Sequence, residues 1–264
     1  MAQTITVLSQ KGGTGKTTTV RTLADAYRRV GLDVLCADLD PQANLSDYFD
    51  VPADASPTMA DVLAGQAGAA DAIHDGVLPA NLGLAETEVV LGGKMGRELT
   101  LKRALGGVRD RYDLVLVDCP PALGLLTVNA LVAADHAVIS SEAEYFSLQG
   151  VEQALEVVEL ARDSLHPELG WLGVVLNIAD MRLIHAREAL QQLRDRFGDR
   201  VFDTVIRRSV RYAESAERAV SILDYAPGLG ADYLALADEL LGRLGGFGDE
   251  RARLAALRAE LVAA

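Results

Sequence analysis

The sequence lacks any apolar run approaching the roughly 20 residues that a membrane-spanning helix needs. Its first residues, Met-Ala-Gln-Thr-Ile, show no basic stretch followed by an apolar one, so no secretion signal is expected. Cysteine is scarce. Cys36 and Cys119 are the only two, both in or at the end of strand-like runs. They are expected to pack as small hydrophobes in a reducing cytoplasm, not to form a disulfide. No pair or cluster has metal-ligand spacing, which leaves no support for an iron–sulfur cluster. Positive charge is also short, with 25 Lys and Arg against 38 Asp and Glu and a net charge of −13. Taken alone, that balance argues against a polyanionic partner.

The deficit is uneven. From Met181 to Arg218 there are nine arginines (182, 187, 194, 196, 200, 207, 208, 211 and 218) and six acids, a local balance of +3 in an otherwise acidic chain. A basic face of this kind is a footprint for a polyanion. Arginines that merely solvate ordinary helices would give the same pattern.

What is present fits one large α/β domain. The chain has 264 residues, half of them hydrophobic and a quarter charged. Apolar runs alternate with helical patterns. Strands are predicted at 4–8, 34–37, 83–85, 114–117, 137–140, 172–176 and 201–206. Helices are predicted at 16–30, 97–109, 125–133, 150–165, 186–197 and 231–244, with Gly31 capping the first. Several strand candidates are apolar throughout, as in strands buried on both faces. The expected fold is a doubly wound, mostly parallel sheet with helices on both faces, whose ligands bind at the carboxyl ends of strands. Residues 1–244 are expected to form a single nucleotide-binding domain. Residues 53–72, rich in Ala, Asp and Gly, are expected to form short surface helices. Gly245–Gly248 reads as a hinge, and residues 249–264 as a helical extension with Leu254, Leu257 and Leu261 on one side.

The chemistry concentrates in Lys11-Gly12-Gly13-Thr14-Gly15-Lys16-Thr17-Thr18. The general phosphate-loop pattern is G-x-x-x-x-G-K-[ST], and here Gln10 stands where its first glycine would be. The rest is in place, between the run Ile5-Thr6-Val7-Leu8 and a helix. Backbone amides freed by the glycines can curl around an anion, and the helix N-terminus adds partial positive charge. Residues 12–18 are therefore the candidate phosphate binders. Lys16 can reach the outer phosphates, and the Thr17 hydroxyl can ligate Mg²⁺.

Two further strand ends carry carboxylates. Leu114–Val117 ends in Asp118-Cys119-Pro120-Pro121, a Walker B arrangement in which Asp118 can hold Mg²⁺ directly or through water. Val34–Ala37 ends in Asp38-Leu39-Asp40-Pro41-Gln42-Ala43-Asn44. Two carboxylates spaced i, i+2 can orient a water and support a metal shell, although an Asp-Pro turn explains the residues equally well. Strand 172–176 ends in Asn177, which can read an adenine edge or form a turn.

Lys11 precedes Lys16 by five residues, and K-G-G-x-G-K-T-T resembles the deviant Walker A family: ParA and Soj partition ATPases, MinD, nitrogenase iron protein and arsenical-pump ATPases. Asp118-Cys119-Pro120-Pro121, Asp38 to Asn44 and Gly124 to Ala130 resemble ParA and Soj most closely. The resemblance covers about residues 3–244. It implies ATP and Mg²⁺ as cofactors, Asp40 positioning the hydrolytic water, Asp38 near the magnesium, and Asn177 at the adenine. Lys11 is implied to reach the partner's phosphates across an ATP-dependent homodimer. Val205-Ile206-Arg207-Arg208-Ser209-Val210-Arg211 resembles the ParA segment V-I-P-R-N-V-R in loosened form, with Arg207 in place of proline near the nucleotide. The implied function is DNA partition by a slow ATPase in the cytoplasm, on the nucleoid. Non-specific duplex DNA would be held by Arg182, Arg208, Arg211 and Arg218, and a ParB-type partner would stimulate hydrolysis. No helix-turn-helix domain is expected ahead of the loop. The alternatives are a MinD-like membrane-associated regulator, a ParA-like ATPase that positions another cargo, and an amidoligase of the same fold. The tail's many alanines and lack of aromatics disfavour a membrane anchor.

Overall fold

The computed structural model describes residues 2–144 and 147–263. In chain order the elements are β1 (Gln3–Leu8), α1 (Lys16–Arg29), β2 (Val34–Asp38), α2 (Asn44–Tyr48), α3 (Met59–Ala64), β3 (Val77–Leu78), α4 (Gly83–Leu91), α5 (Thr100–Gly106), β4 (Leu114–Asp118) and α6 (Leu125–Ala133). There follow β5 (His136–Glu142), α7 (Ser147–Ser164), β6 (Gly170–Ala179), α8 (Ile184–Phe197), β7 (Val201–Arg207), α9 (Arg211–Glu217), α10 (Ile222–Tyr225), α11 (Pro227–Leu244) and α12 (Gly248–Ala263). The strands form one parallel sheet in the order β3-β2-β4-β1-β5-β6-β7. The expected α/β architecture is therefore the observed one.

Alternation of side chains explains why the central strands read as continuous apolar runs. Ile5, Val34, Cys36, Leu114 and Leu116 point into one core with Leu23 and Tyr27 of α1 and Leu234 and Leu240 of α11. Leu8, Leu35, Ala37, Val115 and Val117 point into the other, against α3, α6 and α7. Each strand thus feeds two helical layers and has no polar face to show. In α1 the buried Val20, Leu23, Ala24 and Tyr27 recur at helical spacing, and Tyr27 Oη donates to the Ala237 carbonyl at 3.2 Å, joining α1 to α11. Cys36 and Cys119 are buried free thiols, each pushed up to about 12 by burial.

Four sequence expectations fail in whole or in part. Residues 83–85 lie in α4, and the edge strand is β3, only two residues long. The run Leu82-Gly83-Leu84-Ala85 imitates a short strand, while Pro79 cuts the real one short. The helix expected over 97–109 is broken into a turn at Arg97–Leu99, α5, and a turn at Arg109–Arg111, because Gly106-Gly107 interrupts it. Strand β6 does not stop at Asn177 but continues to Ala179, with Ile178 at φ 53°. Residues 53–72 do form short helices, but Met59, Val62 and Leu63 of α3 are core residues, not surface ones.

The chain reverses at Gly245 and Gly246, and α12 packs back on α11. Leu254 is 0% exposed within the core that holds α1 and α11, and Leu257 and Leu261 lie against the same core. Arg251 pairs with Asp238 at 2.7 Å. Among the described residues no helix is long and apolar enough to cross a membrane. Leu254→Ala should therefore lower the unfolding free energy by roughly 2–4 kcal/mol in a single urea transition followed by circular dichroism. A loss below about 0.5 kcal/mol would mean that α12 adds nothing to the core.

Candidate nucleotide site

The loop from Ser9 to Gly15 joins the centre of the sheet to α1. Gly15 has φ 83° and stands at the N-cap of α1, and a Cβ there would meet the Asn177 side chain at 3.4 Å. Glycine is thus favoured by the left-handed backbone conformation, while the Asn177 contact itself is of ordinary length. Gly12 to Thr18 line one side of a cleft of about 680 Å³ at the carboxyl ends of the strands. Lys16 is buried, and its Nζ donates to Ser9 Oγ at 3.2 Å and to the Lys11 carbonyl at 3.4 Å. Its charge is held against the loop it would share with an anion. Thr14 is fixed from two sides, by its hydroxyl on Ser9 Oγ (2.9 Å) and by Ser140 Oγ donating to its carbonyl (2.7 Å).

Opposite the loop stand the two strand-end carboxylates. Asp38 and Asp118 are register partners on β2 and β4, and both are fully buried. Thr17 Oγ1 donates to Asp118 Oδ2 at 2.7 Å, so the hydroxyl and carboxylate expected at a metal lie together. Asp118 Oδ1 is buried with no hydrogen-bond partner. Burial first, then the neighbouring Asp38 charge, holds the Asp118 carboxyl well above the usual carboxylate range, against the pull of Thr17 and Lys16. Burial likewise pushes Asp38 up to about 6, opposed by hydrogen bonds from the Ser46 hydroxyl and the backbone amides of Asp40 and Ser46. Asp40 sits at the cleft wall, where its Oδ1 accepts the Gln42 amide at 3.0 Å.

A pair of buried carboxylates and an orphaned oxygen call for a cation. Among the described residues no group of three or more His, Cys, Asp or Glu side chains could cage one alone. The donor set fits an ion that brings oxygen ligands with it, as Mg²⁺ does with phosphates and water.

The remaining candidates separate from this cleft. Lys11 points elsewhere: its side chain is 62% exposed, pairs with Glu144, and lines a second cavity of about 200 Å³ with Glu142 and Ser147. Asn177 is buried beneath Gly15, and its Nδ2 donates to Ser140 Oγ (2.7 Å) and Thr19 Oγ1 (3.3 Å), while Oδ1 has no partner. Its neighbour Ile178 lines the cleft. Arg207 is drawn off to Asp232 at 2.7 Å and to the Gly228 carbonyl. Arg182, Arg208, Arg211 and Arg218 are all exposed. Arg182 pairs with Asp180 at 2.7 Å and Arg211 with Glu214 at 3.3 Å, and Arg218 lies 5.2 Å from the Tyr225 ring centroid. Among the described residues Arg208 is in no ion pair.

Sequence reading passed over Ser9, Ser46, Tyr48, Ser140, Glu144, Ala216 and Glu217. Ser9 and Ser140 sit at or near the carboxyl ends of β1 and β5, a position that could have marked them. Nothing local distinguishes Tyr48, Ala216 or Glu217, which reach the cleft only through packing.

The AAA domain family matches residues 2–171 of this chain. The sporulation initiation inhibitor protein Soj of Bacillus subtilis is 38% identical over 91% of this chain and 98% of its own length. The chromosome partitioning protein ParA of Caulobacter vibrioides is 37% identical over 90% and 94%. Among solved structures, the cobyrinic acid a,c-diamide synthase of Mycobacterium smegmatis with bound ATP analog and magnesium superposes with TM-score 0.76. Its identity is 34%, over 83% of this chain and 93% of that one.

The carboxylate pair has a measurable consequence. A raised carboxyl pKa means that the folded state holds protons the unfolded chain has lost, so stability falls as pH rises through about 6 for Asp38, and the raised Asp118 acts in the same direction. Asp118→Asn should stabilise the nucleotide-free protein by about 1–3 kcal/mol at pH 8. The gain should shrink toward zero near pH 4, where both acids are protonated. Urea melts at the two pH values without Mg²⁺ check this. An equal effect at both would exclude carboxylate repulsion as its source.

Proposed function

Because the chain belongs to the ParA/Soj family of P-loop ATPases, we propose that it binds ATP with Mg²⁺ in this cleft and hydrolyses it slowly, in a cycle that moves DNA. The observation that carries the reading is that Lys16, Thr17 and Asp40 line one cleft, with Asp118 buried behind Thr17 and accepting its hydroxyl. Residues 12–18 cradle the phosphates, and Lys16 faces the outer ones. Thr17 and Asp118 would hold Mg²⁺, which would supply neutralisation of phosphate charge that otherwise repels the attacking oxygen, and Asp38 is the register partner of Asp118. Asp40 orients the water and accepts its proton. The unpartnered Asn177 Oδ1 is an acceptor suited to an adenine amino group.

Lys11 acts outside its own cleft. In an ATP-dependent homodimer it exchanges Glu144 for the partner's phosphates. The dimer then holds duplex DNA of any sequence through exposed arginines, with Arg208 and Arg218 the least committed to carboxylates. A ParB-type protein stimulates hydrolysis and release on the nucleoid. The buried Leu254 and half-buried Leu257 and Leu261 favour this reading over a membrane-anchored one, since the tail's apolar side is used within the fold.

Lys16→Ala should lose ATP binding. Lys11→Ala should bind ATP as the parent does but stay monomeric with ATP in size-exclusion chromatography with light scattering. A Lys11→Ala dimer equal to the parent's would remove the cross-subunit role. For DNA, the joint change of Arg208, Arg211 and Arg218 to Glu should abolish ATP-dependent gel shifts of random duplex and leave basal turnover within about twofold. Parental binding should weaken steeply between two salt concentrations. A triple variant that binds like the parent would move the DNA surface elsewhere.

A further inference from the structure

Arg21 lies on α1, one turn beyond the phosphate loop, and is only 7% exposed. A guanidinium so buried must be paired, because it cannot shed its charge. Its partners lie on different elements. Nε is 2.9 Å from Asp25 Oδ2 one turn along the helix, an ion pair without the alignment of a hydrogen bond. The guanidinium carbon is 5.4 Å from the Tyr48 ring centroid and 5.2 Å from that of Phe49. Nη2 reaches the Ala219 carbonyl at 3.5 Å.

These contacts lead to two separate walls of the nucleotide cleft. Tyr48 ends α2 and lines the cleft on one side. Ala216 and Glu217, just ahead of Ala219, line it on another. Ala219 adopts φ 49°, a left-handed conformation that a non-glycine residue holds only when its surroundings enforce it. The Arg21 hydrogen bond falls on the carbonyl of that residue. The phosphate loop does not need Arg21, since Lys16 supplies its charge. The cleft, at about 680 Å³, is larger than a triphosphate alone requires, and its space beyond the loop is bounded by Tyr48, Ile178, Ala216 and Glu217.

We propose that Arg21 is a positioning residue for the nucleoside part of the bound nucleotide. It clamps the Tyr48 wall to the 216–219 wall through one planar cation, and so sets affinity for base and ribose without touching the phosphates. The inference rests on the reading that this cleft binds ATP.

Calorimetric titration with ATP, ADP and inorganic tripolyphosphate separates the possibilities. Arg21→Met keeps an unbranched apolar stem and removes the charge and plane. It should bind ATP and ADP about tenfold more weakly, while tripolyphosphate binding stays at the parental level. KM for ATP should rise by the same factor at unchanged kcat. Arg21→Lys keeps the pairing with Asp25 but not the planar face, and should fall between the two. A parallel loss of ATP and tripolyphosphate affinity would overturn the proposal, as would no loss of either. If Arg21→Met does not fold, Tyr48→Leu, which removes the ring the guanidinium holds, should show the same split, and its absence there is equally decisive against the clamp. A parent protein that binds tripolyphosphate but not ATP or ADP would overturn the nucleotide reading itself and the clamp with it, whereas a parent that binds ATP beside an unaffected Arg21→Met overturns the clamp alone.

Discussion

Two carboxylates buried side by side at the carboxyl edge of the sheet constrain everything around them. Asp38 and Asp118 are fixed by the register of β2 and β4, so neither can move away without breaking a parallel ladder. In a low-dielectric site two anions at neighbouring positions repel, and both lose their hydration. The protein answers with donors: Ser46 and two backbone amides on Asp38, and Thr17 on Asp118. One oxygen of Asp118 is still left without a partner. The nucleotide-free fold therefore carries an electrostatic penalty that a divalent cation relieves. The same atoms that make the site costly make it selective for a ligand that arrives with metal.

The fold supplies the rest of the site by topology. Parallel strands end on the same edge, so β1, β2, β4, β5 and β6 deliver Ser9, Asp38, Asp118, Ser140 and Asn177 to one region although the chain separates them widely. The same topology ties the phosphate loop to its neighbours by hydrogen bonds. Ser140 holds the Thr14 carbonyl, Thr14 holds Ser9, and Asn177 holds Ser140. A change at the end of any one strand would be felt in the loop through this chain of hydrogen bonds.

Much of this was legible in the sequence, and the parts that were not have physical causes. The central strands were readable because burial on both faces leaves an apolar run with sharp ends, and the chemistry begins at those ends. The edge strand β3 was not, since two residues carry no periodicity and Leu82 to Ala85 at the start of α4 and its N-cap offers a better imitation. Motif spacing singled out Lys16, Thr17 and Asp118, and the family resemblance added Asp40; in the fold Lys16, Thr17 and Asp40 line one cleft, and Asp118 lies buried against Thr17. Asn177 was picked out, but as a residue at a strand's end, whereas β6 runs on past it and its amide is tucked beneath Gly15. The cleft's far walls were invisible, because Tyr48, Ala216 and Glu217 belong to different short helices or their flanks that meet only in three dimensions.

The arginine-rich segment shows how composition and geometry differ. Nine arginines in 38 positions suggested a free basic face. In the folded chain, Arg182, Arg194, Arg196, Arg207 and Arg211 each stand beside a carboxylate. Such exposed pairs are worth only about 0–1 kcal/mol, so they hold an arginine loosely and let it go to a stronger anion. Duplex DNA offers that, because its phosphates are closely spaced, several arginines engage them at once, and each contact releases counterions. The same reasoning applies to Lys11. Its pairing with Glu144 is exposed on both sides, unlike the buried seat of Lys16 between Ser9 and the loop carbonyl. The two lysines of one short loop thus differ in how firmly they are held. Lys16 is fixed in the cradle before any ligand arrives. Lys11 is kept at the rim by a contact weak enough to exchange, which is the property a residue needs if its target lies on another molecule.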